Sequence, residues 1–131
     1  MYEQELHHYD KMDELLKQHR VRPTLLQPFW HVGGYALGAV TALLGKEAAM
    51  ACTVAVETEI AKHYNDQLRE LHQAAPEEKE LLETIAQFRD DELHHLDVGL
   101  EEGAAQAPAY DALVGAIRGA CRVAIKVAER I

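Results

Sequence analysis

Glutamate and histidine stand three residues apart in two nearly identical hexapeptides, Glu5-Leu6-His7-His8-Tyr9-Asp10 and Glu92-Leu93-His94-His95-Leu96-Asp97. On a helix, residues i and i+3 share a face, so Glu5 with His8 and Glu92 with His95 can each aim two ligands at one point. Two such helices facing each other form a carboxylate-rich site for two metal ions. Carboxylate and imidazole without thiolate suit iron or manganese better than a structural zinc.

The elements around these motifs have the right periodicity to hold them. Residues 1–19 read as a helix whose stripe is Met1, Glu5, His8, Met12 and Leu15, ended by Val21-Arg22-Pro23-Thr24. From Lys46 to about Leu71 a second helix carries Met50, Val54, Glu57, Ala61, Tyr64, Leu68 and Leu71 on one stripe, and Glu57 is the charged residue in it. A third helix is expected from about Glu77 to Glu102, started by Pro76 with two acids and ended by Gly103. Its stripe is Leu81, Ile85, Phe88, Glu92 and His95. A last amphipathic helix is expected over 109–131. It has an apolar face of Leu113, Ile117, Cys121, Ala124 and Ala128 and a basic stripe of Arg118, Arg122, Lys126 and Arg130.

Glu5, His8, Glu57, Glu92 and His95 therefore all fall where their helices should bury residues. An unpaired buried carboxylate is costly and tends to neutralise; metal coordination removes the cost. A di-iron helical bundle uses one Glu from each of two helices and Glu-x-x-His from each of two others. Five of these six ligands are present on three helices. The chain also starts without a cap residue, so the sixth is expected on a further helix upstream of Met1.

His7 and His94 lie about 200° around the helix from their motif Glu and point elsewhere. Asp10 and Asp97 either hydrogen-bond a ligand or are exposed. His63 and Tyr64 follow Glu57 closely enough to be candidate catalytic residues. Tyr64 shares the face of Glu57 and either lines the site, relays charge, or is a core tyrosine bonded to a neighbour. Glu59, two residues from Glu57, is not expected to be a ligand.

The chain of 131 residues is long enough for one domain with a real core, and 48% of it is apolar. The net charge of −9 argues against nucleic acid as a partner. Tyr110–Ile131 is an exception, with four basic and two acidic residues. Cys52 and Cys121 sit in apolar helical contexts and read as reduced core residues. Leu25–Gly45 contains no Asp, Glu, Lys or Arg, is interrupted by Pro28, Gly33, Gly34 and Gly38, and includes Phe29, Trp30 and Tyr35. It reads as a segment dipping into one leaflet of a membrane, with a buried hairpin as the alternative. The basic stripe of the last helix is expected to face anionic headgroups, or else solvent.

Longer segments carry a resemblance. Arg20-Val21-Arg22-Pro23-Thr24, Ala36-Leu37-Gly38-Ala39, Thr41-Ala42-Leu43-Leu44-Gly45-Lys46-Glu47, the run Ala49 to Glu57, Phe88-Arg89-Asp90-Asp91-Glu92 and Cys121-Arg122-Val123-Ala124-Ile125 resemble the demethoxyubiquinone hydroxylases of ubiquinone biosynthesis. The resemblance covers the whole chain. It implies an all-α, ferritin-like di-iron bundle, N-terminally truncated because the family's first helix with its ligand Glu is not in this sequence. It implies Glu5, His8, Glu57, Glu92 and His95 as ligands of two Fe2+ ions. It also implies a dioxygen-dependent monooxygenase that hydroxylates a demethoxyubiquinol whose polyprenyl tail enters from the membrane. Further expectations are an electron donor, ubiquinone-biosynthesis protein partners and a peripheral position on the inner membrane of a bacterium or a mitochondrion. The competing readings are a ferroxidase-like iron protein or manganese catalase, and an inactive di-iron fragment that serves as a quinone- or lipid-binding scaffold.

Overall fold

A computed structural model describes residues 1–131 as five α-helices and one short 3-10 turn, with no strand. Helix α1 spans Tyr2–Gln18, α2 Gln27–Leu43, α3 Lys46–Ala74, α4 Lys79–Glu101 and α5 Tyr110–Ala128, with the 3-10 turn at Ala104–Gln106. The expected helices are all present, with ends shifted by a few residues. Pro76, Glu77 and Glu78 lie in the turn before α4 instead of in its first turn. The stretch Leu25–Gly45 holds one helix, with Pro28 in its first turn, where a missing N–H costs nothing.

Helix α3 is the spine. At 29 residues it is about 43 Å long, and α2, α4, α5 and the 3-10 turn all pack on it, while α1 lies against α4. Small residues let these helices approach closely. Ala51 and Ala55 are fully buried. At Gly99 on α4 an added Cβ would stand 2.9 Å from Val54 Cγ2 and 3.4 Å from the Met50 carbonyl oxygen. Gly103 ends α4 with φ 98°, a left-handed conformation that glycine adopts without strain.

The two cysteines share an apolar cluster between α3 and α5, where Cys52, Ala55 and Ile117 are buried and Cys121 packs against them; both are free thiols. The loop after α1 hooks onto the end of α5. The Leu25 amide donates to the Ile131 carbonyl at 3.2 Å, and the Arg22 guanidinium donates to the same oxygen at 3.3 Å.

Helix α2 is not the buried hairpin considered as the alternative. Only Thr41 is buried, its hydroxyl donating to the Leu37 and Gly38 carbonyls. Phe29, Val32, Tyr35, Val40 and Leu43 are exposed, Tyr35 to 82% and Leu43 to 88%. No helix is long and apolar enough to cross a membrane.

The basic stripe of α5 departs from the expectation. Arg118 Nε donates to Glu59 Oε1 at 2.6 Å, and Arg122 donates to both Glu59 oxygens at 3.0 and 2.9 Å. Glu59 is 3% exposed, and a buried carboxylate recruits the nearest cations. Half of the stripe is thereby tied to α3, with Arg118 and Arg122 still partly open to solvent; Lys126 and Arg130 are exposed and unpaired with Glu59.

Candidate metal centre

Helices α1, α3 and α4 bring the five sequence candidates together. One donor atom from each of Glu5, Glu57, Glu92 and His95 lies within 4.8 Å of the others. His8 closes the group from the side, its Nδ1 3.0 Å from Glu92 Oε1. The other oxygen of Glu92 is 3.1 Å from His95 Nδ1, and Glu5 Oε1 is 2.9 Å from the same nitrogen. Glu92 thus contacts both motif histidines, one with each oxygen. Burial is deepest on α4, where Glu92 and His95 are 2% and 0% exposed; Glu5 on α1 is exposed.

Phe88, one turn before Glu92, forms the floor. It is almost fully buried and stacks on the His8 ring with centroids 4.0 Å apart. Beside the carboxylates is a cavity of about 440 Å³ whose lining includes Met12, Val56, Ile60 and Tyr64. Tyr64 therefore does share the site with Glu57. Burial, and then the charges of Glu92, Glu5 and Glu57, push its phenol above the ordinary range, so it stays protonated.

His63 is not brought to the cluster. Its Nδ1 lies 3.7 Å from Glu129 on α5, because the residue before Tyr64 points about 100° away around α3. Asp10 and Asp97 are exposed, as are His7 and His94.

The electrostatics show what the cluster lacks. Burial pushes Glu57 up to about 7 from the ordinary 4.5. Glu92 is pushed up by burial and by its hydrogen bond with Glu57. Three carboxylates crowd two imidazoles with no lysine or arginine among them, so the group holds protons where cations would be better neutralisers. An all-oxygen-and-nitrogen donor set of this charge fits two divalent ions of the iron or manganese kind.

Sequence reasoning missed the groups behind the histidines. His8 Nε2 is 2.9 Å from Asp91 Oδ2, and His95 Nε2 is 2.8 Å from Gln4 Oε1. The signal was there to be found, because Gln4 and Asp91 each immediately precede the motif glutamate. Glu59 was also missed as a buried residue.

Comparison with known proteins follows the same line. Residues 1–128 match the family described as ubiquinone biosynthesis protein COQ7. Over 132 residues the chain is 57% identical to the mitochondrial NADPH-dependent 3-demethoxyubiquinone 3-hydroxylase of Bos taurus, covering 100% of this chain and 61% of the relative. It is 50% identical over 131 residues to the 3-demethoxyubiquinol 3-hydroxylase of Rhodospirillum rubrum, covering 100% of this chain and 60% of that protein. It is 46% identical over 143 residues to the mitochondrial 5-demethoxyubiquinone hydroxylase of Saccharomyces cerevisiae, covering 100% of this chain and 61% of the relative. The chain belongs to this ubiquinone-biosynthesis family and spans about three-fifths of the length of these curated relatives.

Proposed function

We propose that this member of the family is a di-iron monooxygenase that hydroxylates the ring of a demethoxyubiquinol with dioxygen. The observation that carries the reading is the meeting of Glu5, Glu57, Glu92 and His95 within 4.8 Å, with His8 on Glu92. Those five residues are the proposed ligands of two Fe2+ ions. Iron bound there supplies dioxygen reduction and the oxidant for the ring.

The chain's own residues do the rest. Glu57 and Glu92 each bring a carboxylate oxygen into the group that lies within 4.8 Å, so both would hold the ions. The imidazoles of His8 and His95 cap the cluster from α1 and α4. Met12, Val56 and Ile60 give the adjoining cavity apolar walls that suit an aromatic ring. The protonated Tyr64 phenol is the available donor toward a quinol oxygen there.

The substrate and reductant are read from relatives named demethoxyubiquinone or demethoxyubiquinol hydroxylases, some of them NADPH-dependent. The exposed apolar surface of α2 supports a peripheral seat on a membrane, from which a polyprenyl tail can be drawn. That membrane is the inner membrane of a mitochondrion or the cell membrane of a bacterium. Other ubiquinone-biosynthesis proteins are the proposed partners. This exposed surface weighs against a ferroxidase, which has no need of it.

The test is turnover. Iron-loaded protein on vesicles containing a demethoxyubiquinol receives a reductant and 18O2. A product heavier by one 18O atom supports the proposal. Iron oxidation without ring hydroxylation would overturn it in favour of a ferroxidase.

A further inference from the structure

The cations of this chain are not spread evenly. Seven of its thirteen lysines and arginines each sit on a carboxylate. The other six are Arg20, Arg22, Lys62, Lys79, Lys126 and Arg130, and all but Lys79 gather at one end of the molecule. Lys62 on α3 and Lys126 on α5 line the same hollow, and Arg130 lies one turn beyond Lys126. The loop after α1 carries Arg22 to the end of α5, where it donates to the Ile131 carbonyl. Arg20 sits two residues before it in a left-handed turn, with φ 54°. The acids of the hollow are mostly engaged: Glu59 by Arg118 and Arg122, Asp66 by Arg69, and Glu129 by His63, which leaves Glu70.

The same hook starts α2 beside these cations. The Leu25 amide donates to the Ile131 carbonyl, and the exposed Leu25, Phe29 and Val32 follow. Helix α2 is about 25 Å long. At its far end Lys46 is neutralised by Glu102, and Glu47 and Glu101 add negative charge. The chain as a whole carries −9, so an anionic surface repels most approaches and attracts this end.

We propose that Arg20, Lys62, Lys126 and Arg130 form a seat for anionic phospholipid headgroups, which turns the N-terminal half of α2 toward the bilayer. The inference rests on the membrane reading above: α2 supplies the apolar attachment, and the cations supply lipid choice and orientation. The four cations come from three separate elements and all stay exposed, which suits a surface of many headgroups met at the water interface. Arg22, committed to Ile131, holds the loop and the end of α5 together.

Trp30 is the single tryptophan and lies in that half of α2, so its fluorescence reports the contact. The test compares vesicles of phosphatidylcholine with vesicles in which one lipid in three is phosphatidylglycerol, both with brominated acyl chains. The parent is expected to bind the anionic vesicles at least about tenfold tighter, with Trp30 quenched by bromine, and to lose that advantage at high salt. Arg20→Gln, Lys62→Gln, Lys126→Gln and Arg130→Gln should each cost about threefold to fivefold on anionic vesicles. Combined, they should abolish the advantage while binding to neutral vesicles and circular dichroism stay as in the parent. Lys79→Gln, an unpaired cation elsewhere, should change nothing. A parent that binds both vesicles alike, or a combined variant that keeps the advantage, would overturn the inference and leave the apolar seat on α2 standing. Release of the parent by inorganic phosphate at fixed ionic strength would mark a pocket for a free anion and overturn it too. A parent that binds neither vesicle would overturn both readings.

Discussion

His8 and Glu92 stand 84 residues apart in the chain and 3.0 Å apart in space. That contact joins the two Glu-x-x-His motifs, and Glu92 completes it by reaching His95 with its other oxygen. Glu92→Ala is expected to lower the proposed hydroxylation at least about 1,000-fold, since it removes a proposed ligand that touches both halves of the site. Helix content should be unchanged by circular dichroism. Retained turnover would show that the chemistry lies elsewhere.

The metal-free protein should lose stability as pH rises. The carboxyls of Glu57 and Glu92 are raised in the folded state, Glu57 to about 7 from 4.5. Between those values the folded state binds more protons than the unfolded state, so unfolding free energy falls with pH. The melting temperature of metal-free protein should therefore decline from pH 5 to pH 7.5, and Glu57→Gln should flatten that decline. Bound metal should flatten it as well. A melting temperature that rises over the same range would contradict the burial assigned to this pair.

Glu59 should behave as a structural anchor with no metal role. The Arg122 and Arg118 guanidiniums hold its carboxyl down at about 2 against the cost of burial, and they tie α5 to α3. Glu59→Ala strands two cations and is expected to cost about 1–3 kcal/mol in denaturant unfolding, a range lowered for the solvent exposure of both arginines. Metal stoichiometry should be unaffected. A variant as stable as the parent would show that the ion pairs contribute nothing net.

Gly99 sets the distance between the two helices that carry Glu57 and Glu92. An added Cβ would sit 2.9 Å from Val54 Cγ2, a branched side chain with little room to turn. Gly99→Ala is expected to cost roughly 1–3 kcal/mol by overpacking, read as a lowered denaturation midpoint with the slope unchanged. An unchanged or higher midpoint would mean that α4 moves freely along α3.

The exposed surface of α2 should govern membrane binding. Val32→Ser together with Leu43→Ser removes two aliphatic side chains, each worth about 1.5 kcal/mol or more when buried. Partition onto phospholipid vesicles should drop at least tenfold, with metal binding intact. Unchanged partition would move the membrane contact elsewhere.

The cluster itself was legible because the chemistry is periodic. Glu5, His8, Glu92 and His95 repeat one short motif on apolar stripes, and Glu57 interrupts a third stripe, so helical geometry alone predicts that they converge. What escaped has a physical cause. A stripe assigns one buried face to a helix, but α3 packs on several sides, so Glu59 on its far flank is buried as deeply as a core residue. Arg118 and Arg122 read as one uniform basic face because their partner lies on another helix. His63 seemed associated with the site through its neighbour Tyr64, yet adjacent helical positions diverge by about 100°. Gln4 and Asp91 were overlooked because they act on the opposite helix, which spacing within one helix does not reveal. Within the run from Leu25 to Gly45, Gln27–Leu43 is helical despite Gly33, Gly34 and Gly38, and composition could not decide between a buried and an exposed course.

Iron binding by Glu5, His8, Glu57, Glu92 and His95 underlies the proposed chemistry. Anaerobic titration of the purified protein with Fe(II), counting tightly bound ions per chain in the parent and in Glu92→Ala, tests it most directly. Two ions are expected in the parent and one or none in the variant. Fewer than two in the parent, or an equal count in both proteins, would contradict it.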